Sequence, residues 1–191
     1  MQEIKLEELK NRLLALLKKD AFKRGEFTLS SGKTSNYYLD GRLVTLSAEG
    51  AFLAAGIILE MLEGEEVDAV GGPALGADPI AGAVACLSYL KNRPLKAFIV
   101  RKSAKGHGAA RQVEGPELKK ESRVILLDDV ATSGKALIEA KAALEKIGVK
   151  VVKVIVLVDR GEGARENLAA AGLKLEPIFK IADFGVAPEK G

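Results

Sequence analysis

The chain has 191 residues, enough for one domain with a substantial buried core, and its 48% hydrophobic and 29% charged content excludes global disorder. Its 29 lysines and arginines oppose 26 aspartates and glutamates, and the net charge of +3 is too small by itself to point to a nucleic-acid ligand. A single cysteine, Cys86, excludes an intramolecular disulfide, and its place in the apolar run Ile80–Leu90 predicts a buried structural thiol.

Met1–Lys10 is charged and lacks the apolar centre of a signal peptide, and no run of about 18 apolar residues follows it anywhere. A cytoplasmic protein without a membrane span is expected. Leu6, Leu9, Leu13, Leu16 and Leu17 recur at helical spacing and predict an amphipathic helix over about 3–18. Glu26–Thr45 then reads as a short β-hairpin or extended arm, with Ser30-Ser31-Gly32 as its turn. Ser47 is the expected cap of a second helix, whose buried stripe is Phe52, Ala55, Leu59 and Leu62.

From Val67 the pattern changes to alternating strand and helix. Apolar strands are predicted at Val67–Gly71, Ala97–Val100, Val124–Leu127 and Val151–Val158, with a weaker one near Leu173–Phe179. Helices are predicted near Pro79–Leu90, Lys135–Ile147 and Gly163–Ala171. The second of these carries Leu137, Ala140, Leu144 and Ile147 on one face and is closed by Gly148. Such alternation implies an α/β fold, a parallel sheet flanked by helices on both faces. One unit is expected over 1–191: a helix and small N-terminal hood over about 1–45, and the α/β core over about 46–191. Ser103–Glu121 reads as a long loop without apolar periodicity.

Ligands of a parallel sheet bind beyond the carboxyl ends of its strands, so chemistry is sought there. Val124-Ile125-Leu126-Leu127 runs into Asp128-Asp129, then Val130-Ala131-Thr132-Ser133-Gly134, then a helix opening with Lys135-Ala136. Adjacent carboxylates repel each other and cost desolvation energy unless hydroxyls or a cation meet them. The small-residue turn leads to a helix N-terminus, whose free N–H groups and dipole attract phosphate. A phosphorylated sugar satisfies both features. Simple capping of the helix by the two acids is the alternative reading.

The loop after Ala97–Val100 supplies the opposite charge. Arg101, Lys102, Lys105 and Arg111 are basic, His107 is titratable and flanked by Gly106 and Gly108, and no acid precedes Glu114. A solvated surface turn is the bland reading. A segment that closes over an anionic substrate is the functional one. Gly71-Gly72-Pro73-Ala74-Leu75-Gly76 offers backbone N–H groups to a phosphate, or is only a tight strand-to-helix connection.

The run Val124–Gly134 resembles the phosphoribosyl pyrophosphate signature of the type I phosphoribosyltransferases, and it is neither a Walker A loop nor a dinucleotide fingerprint. Three further segments resemble the orotate phosphoribosyltransferases in particular: Phe27–Asp40, Arg101–Gly108 followed by Glu114-Gly115, and Asp159-Arg160-Gly161. The resemblance implies transfer of the phosphoribosyl group of phosphoribosyl pyrophosphate to orotate, giving orotidine monophosphate and pyrophosphate with Mg²⁺, in pyrimidine (UMP) biosynthesis. It further implies that Lys105, His107, Asp128 and Asp129 are catalytic. Phosphoribosyl pyrophosphate would be bound by these four together with Arg101, Lys102, Val130, Ala131, Thr132, Ser133, Gly134, Lys135 and Ala136. Thr132 and Arg160 would bind orotate, the Mg²⁺ would be held mainly by substrate, and a homodimer would share its mobile loops across subunits. Ser30 and Gly76 depart from the pattern, since many members carry lysine there. A different nucleobase, or a non-catalytic regulator that senses phosphoribosyl pyrophosphate and binds nucleic acid, are the rival readings.

Overall fold

A computed structural model describes residues 5–28, 34–102 and 112–187. Helix α1 (Leu6–Leu16) continues through one π-turn (Leu17–Ala21) into strand β1 (Phe22–Thr28), which pairs antiparallel with β2 (Thr34–Leu39). The hairpin therefore begins earlier than expected. Lys23, Arg24 and Glu26 gave its first strand no apolar signal, and its solvent side stays polar.

A short helix α2 (Arg42–Thr45) leads to α3 (Ala48–Met61), capped as expected by Ser47, whose Oγ accepts the Gly50 N–H at 3.1 Å. There follow β3 (Ala69–Pro73), α4 (Ala77–Leu90), β4 (Lys96–Val100) and β5 (Val113–Glu114). The last of these is a two-residue strand in the stretch expected to be loop. The chain then forms β6 (Arg123–Ala131), α5 (Lys135–Glu145), β7 (Lys150–Asp159), α6 (Ala164–Ala170) and β8 (Leu175–Lys180), and ends in a 3₁₀ turn at Ile181–Phe184.

The six-stranded sheet has the order β5-β4-β3-β6-β7-β8, parallel except for β5. Its strands alternate between two cores, with Ile125 and Leu127 packed towards α1, α3 and α4, and Val124 and Leu126 towards α5 and α6. Leu9, Leu13 and Leu17 join the first core, so α1 packs into the body of the protein rather than into the hairpin hood.

Three side chains lie elsewhere than expected. Cys86 is exposed, because α4 buries Ile80, Ala81, Val84 and Leu87, and position 86 falls on the opposite side of that helix. Phe52 is partly exposed, because the buried stripe of α3 is centred on Leu53 and Ile57 and leaves position 52 on its flank. Ile147 is exposed in the turn beyond α5, where Gly148 adopts φ +77° and closes the helix as expected.

Candidate active site

The chain runs outward from β3 to β5, then returns to β6 on the other side of β3, and the reversal opens a crevice between β3 and β6. The register shows how it opens. β3 stays paired with β6 only as far as Gly71–Leu126, whereas β7 accompanies β6 to Ala131–Asp159. Asp128 and Asp129 therefore lie within β6, not after it as the sequence suggested, on an overhang paired along one edge only. The neighbouring connection approaches them closely. A Cβ on Gly72 would stand 2.0 Å from the Leu127 carbonyl oxygen, and one on Gly76 would stand 2.2 Å from Asp128 Oδ1 and 2.5 Å from Asp129 Oδ1. In this chain Gly76 thus lets the β3–α4 connection sit on the acid pair as it stands.

The overhang and the N-terminus of α5 line a cleft of about 460 Å³ with Lys102, Asp128, Val130, Ala131, Thr132, Ser133, Gly134, Lys135 and Ala136. Gly134 takes φ +76°, which turns the strand end into the helix, and Asn167 Nδ2 donates to the Ser133 carbonyl at 2.9 Å, so α6 braces the turn. An adjoining cleft of about 330 Å³ shares Lys102, Asp128, Val130, Thr132 and Ala136, and adds Asp129, Gly76, Arg160 and the hood residues Tyr38, Asp40 and Arg42. Nearly all the residues singled out in sequence therefore meet in one place. Lys105 and His107 lie outside the described residues.

Arg101 departs from the expected grouping. It lines a neighbouring cleft with Ala74, Leu75, Ile99, Lys102 and Glu114, which shares Lys102 and Ala74 with the second cleft, and its Nη1 lies 3.0 Å from Glu114 Oε1, because β5 brings that acid back alongside the end of β4. Arg160 is not a surface arginine. It is 7% exposed, its Nε lies 2.7 Å from Glu162 Oε1, and the same Nε–H donates to Tyr37 Oη at 2.9 Å.

Electrostatically the crevice concentrates negative charge. Burial, then the Asp129 charge, push the Asp128 carboxyl well above the ordinary carboxylate range. Asp129 is raised too, chiefly by burial, although hydrogen bonds with Asp128 and from the Val130 N–H, and then the Arg42 charge, pull the other way. Asp78, in the first turn of α4, is raised by burial, and its Oδ1 has no partner among the described residues. Asp40 is held below its usual value by Arg42, whose Nε and Nη2 each donate to it at 2.9 Å. Half-buried acids without matching cations are costly, and a ligand carrying hydroxyls and a divalent cation relieves that cost.

Sequence reasoning gave no individual role to Tyr37, Tyr38 and Asp40, although they lie in the singled-out segment Phe27–Asp40, and it missed Arg42 and Asp78; Glu162 was legible as a surface ion-pair partner for Arg160, and that pair forms but is buried. Of the others, only the hood residues carried a usable signal, the alternation of Ser35, Tyr37 and Leu39 inward against Asn36 and Tyr38 outward.

Comparison with known proteins agrees with this geometry. The family model described as the phosphoribosyl transferase domain matches residues 43–189. An orotate phosphoribosyltransferase of Synechocystis is 45% identical over 179 residues, covering 94% of this chain and 90% of that protein. The Mycobacterium tuberculosis orotate phosphoribosyltransferase, solved with 5-phospho-α-D-ribosyl 1-diphosphate, superposes with a TM-score of 0.78 at 33% identity, over 93% of this chain and 99% of that one. The orotate phosphoribosyltransferase of Aeropyrum pernix gives a TM-score of 0.74 at 37% identity, over 90% of this chain and 95% of that one. The chain belongs to the phosphoribosyl transferase family and, within it, to the orotate phosphoribosyltransferases.

Proposed function

We propose that this chain transfers the phosphoribosyl group of phosphoribosyl pyrophosphate to orotate, releasing pyrophosphate and forming orotidine monophosphate for UMP synthesis. The observation that carries the reading is the convergence of Asp128 and Asp129, the N-terminal end of α5, and Arg160 on two adjoining clefts at the sheet's switch point.

Departure of pyrophosphate leaves positive charge on the ribose ring and negative charge on the leaving group. Asp128 and Asp129 accept hydrogen bonds from the ribose hydroxyls and favour the cationic ring. The 5-phosphate is taken by the turn Val130–Ala136, whose amides open onto the N-terminus of α5. Thr132 and Lys102 line both clefts, the first to contact the base and the second to meet the phosphates. Lys105 and His107 complete the neutralisation of pyrophosphate. Arg101, turned to the neighbouring cleft, serves the same anion across the interface of a homodimer.

Mg²⁺ fits the excess of buried carboxylate in the crevice. It would be held mainly by oxygens of the substrate, since no group of three or more His, Cys, Asp or Glu side chains among the described residues could cage it, and when bound it would supply charge neutralisation of the leaving group. No helix among the described residues is long and apolar enough to cross a membrane. The reading is of a cytoplasmic enzyme of small molecules.

Pyrophosphate release measured with orotate, uracil and purine bases tests the assignment. Orotate differs from uracil by one carboxylate, and a site whose outer Arg160 N–H donors meet no carboxylate when uracil is bound should disfavour it by at least about 10³ in kcat/KM. Arg160→Ala should lose most activity on orotate while changing uracil use far less. A native preference for uracil or a purine would reject orotate and keep phosphoribosyl transfer. Tight binding of phosphoribosyl pyrophosphate without release from any base would favour a sensor.

A further inference from the structure

Arg160 reaches the crevice on a buried stem. A buried guanidinium without partners is costly, and one free to change rotamer recognises a planar ligand poorly. Two residues with no part in handling ribose or phosphate meet it. Glu162 lies 2.7 Å from its Nε. Tyr37 presents both ring and hydroxyl: the guanidinium carbon stands 4.6 Å from the ring centroid, and Nε–H donates to Oη at 2.9 Å. The Tyr37 hydroxyl in turn donates to Glu162 Oε1 at 3.4 Å, which closes a ring of three contacts between the hood and the end of β7.

Local structure explains why the three meet. Tyr37 is on the inward side of β2, 3% exposed, and its ring is backed by Phe22 at 5.8 Å, which itself packs on Phe184 at 5.4 Å. On the other side Asp159 Oδ1 accepts the Gly161 N–H at 2.9 Å and Gly161 adopts φ +71°, a turn that folds Glu162 back onto Arg160. Both side-chain contacts at hydrogen-bonding distance use Nε, the nitrogen nearest the stem.

We propose that Tyr37 and Glu162 are positioning residues for base recognition, fixing the Arg160 guanidinium through Nε and the ring face so that its outer N–H donors grip the base carboxylate. The proposal rests on the reading of Arg160 as the group that recognises orotate. It makes the hood hairpin part of the base site through a residue that reaches it only through Arg160. Glu162 also balances the buried cation while the site is empty.

The test compares Tyr37→Phe, which keeps the ring and removes only the hydroxyl, with Glu162→Ala. Each should raise KM for orotate about tenfold, the cost of one hydrogen bond to a charged group, with KM for phosphoribosyl pyrophosphate and kcat/KM for uracil unchanged. In an Arg160→Ala background neither substitution should have further effect, because both act through that side chain. If orotate KM stays the same or falls in Tyr37→Phe while Arg160→Ala alone abolishes orotate use, positioning is wrong and the substrate reading stands. If Arg160→Ala leaves orotate use intact, the substrate reading fails and the proposal with it. A parallel rise in both KM values with a lowered melting temperature in Tyr37→Phe would mean a general structural role and overturn the proposal.

Discussion

Asp128 and Asp129 were legible in sequence because two acids at the end of an apolar strand have few structural uses. Their pH behaviour required the fold. Burial, reinforced by Asp129, raises the Asp128 carboxyl above its ordinary value of 3.8, so the folded chain holds that proton more tightly than the unfolded one. Its contribution to stability is therefore fully present below the unfolded pKa and is lost as pH rises through the folded one. Asp128→Asn should raise the melting temperature of the ligand-free protein at neutral pH, by about 2–4 °C for each kcal/mol of relieved penalty in a chain of this size. The gain should shrink as pH falls towards the ordinary carboxylate value, and use of phosphoribosyl pyrophosphate should collapse. Melting curves across pH together with KM for phosphoribosyl pyrophosphate check both halves, and an Asn variant less stable at neutral pH would contradict the argument. The Arg160–Glu162 ion pair was legible from its spacing of two residues, but its burial under Tyr37 was not, because that contact spans 125 positions.

Among the elements, the continuous apolar strands and the stripe of α5 were readable because one period dominated each. The length of β6 was not, since its final residues are held by register with β7 rather than by apolar content. That overhang makes Gly72, inside β3, and Gly76, in the β3–α4 connection, differ in kind. Gly72→Ala places a methyl against the Leu127 backbone oxygen, which cannot move without breaking the sheet, and should destabilise by about 3 kcal/mol or more in denaturant unfolding. Gly76→Ala meets carboxylate side chains that can rotate aside, so it should cost less stability but raise KM for phosphoribosyl pyrophosphate. Equal losses of stability in the two variants would contradict the distinction.

Across the whole molecule, one buried cation ties distant parts together below the sheet. Lys153 of β7, 8% exposed at its side chain, lies 3.1 Å from Glu65 beyond α3 and 2.9 Å from Glu176 of β8. Burial opposes the charge of each partner, yet the ion pairs prevail: Lys153 titrates above 10.5, and Lys174 and Lys153 hold Glu176 below 4.5. The lysine's contribution is present below 10.5 and lost as pH rises through its folded pKa. The glutamate's is present above 4.5 and lost as pH falls through its own. Lys153→Ala should cost about 3 kcal/mol at neutral pH, the lower end for breaking a buried pair because Glu65 is a third exposed, with kcat unaffected. Denaturant unfolding and turnover check it. The N-terminal hood is tied to the opposite end of the chain, by Phe22 on Phe184 and by Arg24 Nη2 donating to the Gly185 carbonyl at 3.0 Å, a contact spanning 161 positions. That span is also a delay during synthesis. At about 5–20 residues per second, the ribosome delivers Gly185 roughly 8–32 s after Arg24. A lone two-stranded hairpin is only marginally stable in water. Until its clasp arrives, the newborn hood waits with Phe22 bare of its Phe184 contact and Arg24 without its Gly185 carbonyl.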